Sequence, residues 1–234
     1  MRAIEATDQL QASLLVFWNP AQAVDRVLEH HPWLLQTILL ALQLLLVVFT
    51  YPLVLQVSMN QLPTEVTNES VEALTQNLRI MHYFTLAFSA ALSFIWWYSV
   101  AGLLYILSIL FSVRERPFSQ MLSVAVLSSV YLTFEDIFLV LNLFLRDPAS
   151  FQTVQDLQIP IGLNLVLGTP NSFLWSFFGY INLFELGTTL LMAYGFARIT
   201  EAHRITSYLT MILIWLSWSA FRSLGALVSG GATV

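Results

Sequence analysis

The chain has 234 residues, of which 57% are hydrophobic and only 10% charged, with a mean hydropathy of +0.73. A water-soluble domain carries about 25% charged residues to hydrate its surface, so this composition excludes one and points to an integral membrane protein. The net charge of −5 comes from nine arginines, no lysine and fourteen acids, which argues against a nucleic-acid partner; with no cysteine, disulfides, thiol catalysis and cysteine-ligated metals are excluded.

Residues 1–31 form an N-terminal cytoplasmic or interfacial segment. Glu5, Asp8 and Gln9 interrupt its start, and no basic region precedes an apolar core, so it does not read as a signal peptide. Asn19-Pro20 breaks and restarts a helix. Ala23, Val24, Val27 and Leu28 then share one face, with Asp25, Arg26 and Glu29 opposite, a spacing that suits an amphipathic helix lying in the membrane interface. His30-His31 follow, with too few acids nearby for a zinc site.

A transmembrane helix needs about 20 mostly apolar residues. Five stretches within residues 32–228 qualify: 33–57 (with Pro52 late in it), 80–112, 118–145, 173–197 and 205–228, followed by a short tail over 229–234. The second is longer than a perpendicular span needs and should tilt or protrude. Between the third and fourth, Pro148, Pro160, Gly162, Gly168 and Pro170 mark an extramembrane loop whose IPIGLNLVL stretch can dip into the interface. The expectation is an all-α integral membrane protein of five transmembrane helices plus the N-terminal interfacial helix.

Arginine placement orients it, because short cytoplasmic loops hold the positive charge. With the N-terminus inside, Arg2, Arg26, Arg114, Arg116, Arg198 and Arg204 are cytoplasmic, against Arg79, Arg146 and Arg222 towards the other side. Glu65, Glu69, Glu72, Asp147 and Asp156 then face outward, as does the glycosylation-like triplet Asn68-Glu69-Ser70, and the C-terminus lies outside.

Three segments carry a resemblance. FWNPAQAVDRVLEHHPWLL resembles the start of the Yip1 domain, where an asparagine-proline turn and a short amphipathic helix precede the membrane. RERPFSQMLSVAVLSSVYLTF is similar to that family's cytoplasmic turn into its third span, and NSFLWSFFGYINLFELGTTLLMAYGFARIT to its fourth. The resemblance implies a polytopic, non-enzymatic protein acting as scaffold or adaptor; eukaryotic members are tied to vesicle traffic and Rab-type GTPases. This chain departs from those in lacking a long cytoplasmic N-terminal region and an aspartate-leucine-tyrosine-glycine-proline motif, for which Gly179-Tyr180 is too short a match. The prokaryotic branch fits better, which implies a bacterial inner membrane. Partners are then the lipid bilayer and other membrane proteins or a second copy of the chain.

Ionisable groups at membrane depth cost about 2.5 to 3.5 kcal/mol each on insertion scales, so they usually face the interior with partners. Glu135, Asp136, Glu185 and Arg222 stand out. Counted at 1.5 Å per residue from the cytoplasmic helix ends, Glu135 and Arg222 both lie about 26 Å deep and Glu185 about 18 Å. Equal depth predicts an Arg222–Glu135 ion pair, or one with Asp136 if the helix is rotated, and leaves Glu185 replaceable by Gln without loss of stability. The alternative is a polar site. Ser128, Glu135 and Asn142 recur every seven residues, and Asn182, Glu185 and Thr189 share a face. These acids would bind protons, a hard cation or a polar ligand in a small transporter or channel, with His82 within reach near the outer end of the second span. Trp96-Trp97-Tyr98 and the small residues Ala87, Ser89, Ala91 and Ser93 read as packing surfaces. No GxSxG, HExxH or phosphate-cradling glycine loop occurs, so neither an enzyme nor a bound cofactor is expected.

Overall fold

The computed structural model describes residues 2–29, 32–60, 68–111, 117–147, 159–167 and 173–230. His30-His31, Glu65, Arg114, Arg116 and Asp156 lie outside these residues, as do the side chains of Arg2, Glu5, Asn68, Glu69, Ser70 and Glu72. Among the described residues the chain is all-helical: α1 (Arg2–Leu15), α2 (Pro20–Leu28), α3 (Trp33–Asn60), α4 (Asn68–Phe111), α5 (Phe118–Leu145), a 3₁₀ turn (Leu163–Val166), α6 (Phe173–Gly179), α7 (Leu183–Thr200) and α8 (Arg204–Gly230), with no strand. Among the described residues three helices are long and apolar enough to cross a membrane: Trp33–Met59 in α3, Thr75–Phe111 in α4 and Phe118–Leu145 in α5.

The stretch expected as the fourth span falls short of that standard for a local reason. The stretch 173–197 is not one helix, since Tyr180, Ile181 and Asn182 separate α6 from an α7 of 18 residues. α8 runs from Arg204 to Gly230, and the side chains of its last six residues, 225–230, lie outside the described ones.

Helix boundaries follow from capping chemistry. Asn19 is the N-cap of α2, its Oδ1 accepting from Gln22 N at 3.2 Å, and Pro20 fills a first-turn position that needs no N–H. α7 ends on Glu201, which takes the left-handed conformation (φ 56°) that turns the chain into α8. α3 runs through Pro52 without stopping.

The helices divide into two compact units. The first holds Met1–Thr37, Trp97–Leu132 and Pro160–Val234. In it, every residue of α5 from Met121 to Val130 is buried, so this part of the helix is enclosed on all sides. Trp97 donates its indole N–H to Ser129 Oγ at 3.0 Å. α5 and α7 run antiparallel at close range. A methyl group added at Gly195 would lie 2.6 Å from Val124 Cγ2, and one added at Gly187 would lie 3.0 Å from the Tyr131 ring. Thr188 Oγ1 reaches the Ser128 carbonyl at 3.3 Å.

α2 departs from the expected interfacial placement. Ala23, Val24 and Val27 are fully buried within the protein, where α2 packs on α1 and α7. Arg26 donates to Gln11 of α1, and Asp25 accepts from Arg198 Nε of α7 at 2.8 Å. The apolar face that would have rested on lipid is covered by protein, because α1 supplies a complementary face of Ala12 and Val16.

The second unit holds Ile38–Trp96 and Thr133–Ile159. Ser93 Oγ donates to Gln43 Oε1 at 2.6 Å, joining α4 to α3, while Ala87 and Ala91 are exposed. Leu53, Val57 and Leu143 form its buried apolar cluster, with Ile159 packed against it. Phe84, Phe88 and Ile95 remain open on α4, an apolar surface of the kind that lipid tails cover.

The α5–α7 contact gives a test. Gly195→Ala should lower the thermal midpoint in detergent by an amount corresponding to about 1 to 3 kcal/mol, the usual range for overpacking. Adding Val124→Ala removes the two Cγ atoms in the way and should return most of the loss; a double variant no better than the single would place the contact elsewhere.

Candidate functional site

The seven polar residues expected at membrane depth divide between the units. Glu185, Asn182 and Arg222 belong to the first and Glu135, Asp136, Asn142 and His82 to the second.

In the first unit the site is built on the break between α6 and α7. A helix end leaves backbone groups without intrahelical partners, and several here have local replacements. Tyr180 N bonds Phe177 O, and Ile181 N bonds Phe178 O, both at 3.2 Å. Asn182 Nδ2 donates to Gly179 O at 3.1 Å. On the other side of the break Asn182 Oδ1 accepts from Phe184 N and Glu185 N, both at 2.9 Å, making it the N-cap of α7. The 3₁₀ turn supplies others. Leu163 N donates to Ile181 O at 3.1 Å, and the buried Asn164 lies against Gly179 while its Oδ1 accepts from Gly162 N. Gly162 sits so close that a Cβ there would meet three carbonyl oxygens of residues 178–181 at 2.6 to 2.9 Å, so only glycine permits this approach.

The break places Glu185 in the first turn of α7, where the helix dipole favours a negative charge. Arg222 of α8 donates from Nη1 to Glu185 Oε1 at 2.9 Å. The same guanidinium lies 4.0 Å from the centroid of the Tyr180 ring, within cation–π range. Glu185 is largely covered, with 12% of its side chain exposed against 40% for Arg222. Thr189 Oγ1 bonds the Glu185 carbonyl, as i→i−4 hydroxyls do in helices.

The carboxylate that Arg222 meets is therefore Glu185, where depth counting pointed to Glu135. The reason is neighbourhood rather than depth, since α7 and α8 pack against each other. α7 extends to Thr200 and α8 begins at Arg204, so Glu185 and Arg222 lie 15 and 18 residues from the ends that face each other across the turn. At 1.5 Å per residue the difference in height is about 4.5 Å, which a long arginine side chain spans. Tyr180 carried no such signal in the sequence, because its role depends on the break beside it.

In the second unit Glu135 is half-buried and Asp136 exposed, as their 100° separation on a helix requires. Asn142 Nδ2 donates to Phe138 O at 2.9 Å, and Ser128, earlier on the same helix in the first unit, bonds Val124 O, so two members of the expected polar stripe turn back on their own backbone. His82 stacks on Tyr51 with ring centroids 4.2 Å apart. Among the described residues no group of three or more His, Asp or Glu side chains is placed to hold a metal ion. No family model matches the chain, and no curated protein or solved structure matches it either.

The observed pair sits between the exposed and buried limits for ion pairs, so Arg222→Ala should cost about 2 kcal/mol, as it strands Glu185 in a covered site. Combining Arg222→Ala with Glu185→Gln should recover much of that loss, and Glu185→Gln alone should now be destabilising. Thermal midpoints of the three variants in detergent measure this; a harmless Glu185→Gln would show that the pair contributes nothing.

Proposed function

We propose that the chain is a non-enzymatic, Yip1-like integral membrane protein that acts as a scaffold or adaptor in membrane organisation or trafficking. In this reading α6 with α7 forms the fourth span and α8 the fifth. The N-terminus is cytoplasmic, the C-terminus is outside, and the membrane is a bacterial inner membrane. The observation that carries the reading is the set of Arg222, Glu185 and Tyr180: the two charges meet each other beside the Tyr180 ring in the first turn of α7, which is how a structural polar group behaves. The six-to-three division of arginines supports the orientation. A small transporter or channel is the second reading, favoured by the break between α6 and α7, since discontinuous helices line many transport sites.

Two measurements test these statements. Reporter fusions after Ser112 and after Leu145 should report opposite sides of the membrane, and the same side for both defeats the topology. Reconstituted in liposomes, the protein should leave proton and monovalent-cation leak at the level of empty vesicles. A flux that the protein induces and Glu185→Gln abolishes would replace the scaffold by the transporter.

A further inference from the structure

We infer that α1 and α2 form a helical hairpin that enters the bilayer from one side, turns near its midplane and lays Leu10, Leu14, Phe17 and Trp18 against the acyl chains of one leaflet. The hairpin's depth is set by Tyr131. That residue stands at the centre of α5, 13 residues after Phe118 and 14 before Leu145, in a helix long and apolar enough to cross a membrane. A 28-residue helix is about 42 Å long against about 30 Å of hydrocarbon, so its centre lies near the midplane. The Tyr131 hydroxyl donates to Val16 O at 2.9 Å, and the Phe17 ring packs edge-on against the Tyr131 ring at 5.1 Å. The turn that joins α1 to α2 is thus fastened at the middle of α5.

Both legs return to the same side. α7 is antiparallel to α5, Gly187 lying beside Tyr131 and Gly195 beside Val124, so the C-terminal end of α7 accompanies the N-terminal end of α5. Asp25, in the second leg, is held there by Arg198. In the first leg Gln9 Oε1 accepts from Leu34 N and Leu35 N, both at 3.1 Å, which caps the start of α3. The charged Asp8, Asp25, Arg26 and Glu29 consequently lie below the turn, towards the aqueous side.

A turn inside hydrocarbon requires its backbone to be satisfied by protein, and the amides of residues 16–19 are all bonded. Val16 N bonds Ala12 O, Phe17 N bonds Leu14 O, and Trp18 N and Asn19 N both bond Leu15 O. Val16 O takes the Tyr131 hydroxyl, and the Asn19 carbonyl and side chain cap α2. Of these bonds the one from Tyr131 comes from outside the hairpin. The residues left open around it are apolar and fall at helical spacing on one stripe: Leu10, Leu14 and Trp18, the last two 62% and 79% exposed, with Phe17 beside them. From Leu10 to Trp18 the stripe rises about 12 Å, close to the thickness of one leaflet's hydrocarbon.

The chain has no cysteine, so a single introduced thiol carries a unique spin label. In the full-length protein reconstituted in phosphatidylcholine vesicles, a label at Trp18→Cys should be relaxed more by oxygen, which partitions into acyl chains, than by a water-soluble nickel chelate. At Glu29→Cys the order should reverse. Leu14→Cys gives the same reading at a second position should Trp18→Cys fail to fold. A label at 18 or 14 relaxed mainly by nickel would place the stripe in water, and one shielded from both agents would place it under protein, a second copy included. Either result overturns the inference. Neither depends on whether the protein conducts ions or organises partners, so the outcome is separate from that of the functional reading.

Discussion

Inside hydrocarbon a backbone N–H or C=O that loses its helical partner has no water to turn to, and each such group costs several kcal/mol. In the membrane reading proposed above, this constraint bears on the α6–α7 break and the α1–α2 turn. The α6–α7 break is tolerated because Asn182 serves both sides of it, donating to Gly179 O and accepting from two amides of α7, while the Leu163–Val166 turn closes over the Ile181 carbonyl. The α1–α2 turn is tolerated because its amides bond backwards and the Val16 and Asn19 carbonyls find Tyr131 and α2. Buried hydroxyls obey the same rule, since Ser128, Ser129, Thr189, Thr200 and Ser223 each return to the carbonyl four residues earlier. Polar residues in this protein are used first to complete the backbone.

Set against that rule, the legible parts of the sequence are those where one local signal decides. Asn19-Pro20 places a helix start because capping and the missing proline N–H act within one turn. The three most apolar stretches show themselves by composition alone. The break at residues 180–182 was hidden because no proline or glycine stands inside Tyr180-Ile181-Asn182. It is stabilised by Gly162 and Asn164, some twenty residues away in sequence, whose approach no window around the break reveals. The partner of Arg222 was misjudged for a related reason. Depth counting compares heights alone and does not say which helices are neighbours, and it is the packing of α8 on α7 that brings Glu185 within reach.

The amphipathic face of α2 marks a third limit. A pattern of Ala23, Val24 and Val27 opposite Asp25 and Arg26 says that one face avoids water; it does not say what covers that face. Here the cover is α1, whose own pattern is less regular because it serves two surfaces, Ala12 and Val16 towards protein and Leu10 and Leu14 away from it. The exposed apolar surface is thereby on α1 and not on α2.

The same division of labour explains how so few charges suffice. Two ion pairs described in the first unit lie at the two ends of α7: Asp25 with Arg198, near its C-terminal end, and Glu185 with Arg222, in its first turn. α7 is thus held at both ends by ion pairs to different helices, while its middle is held by glycines that admit α5 closely. Charge fixes where α7 begins and ends, and steric fit fixes what lies beside it. Neither would be adequate alone. A helix of small residues slides easily against its neighbour, and a partly exposed ion pair contributes about 1 kcal/mol or less when nothing else holds its geometry. Pinning two ends of an 18-residue helix to α2 and α8 removes the sliding, and the close α5 contact then keeps both pairs in register.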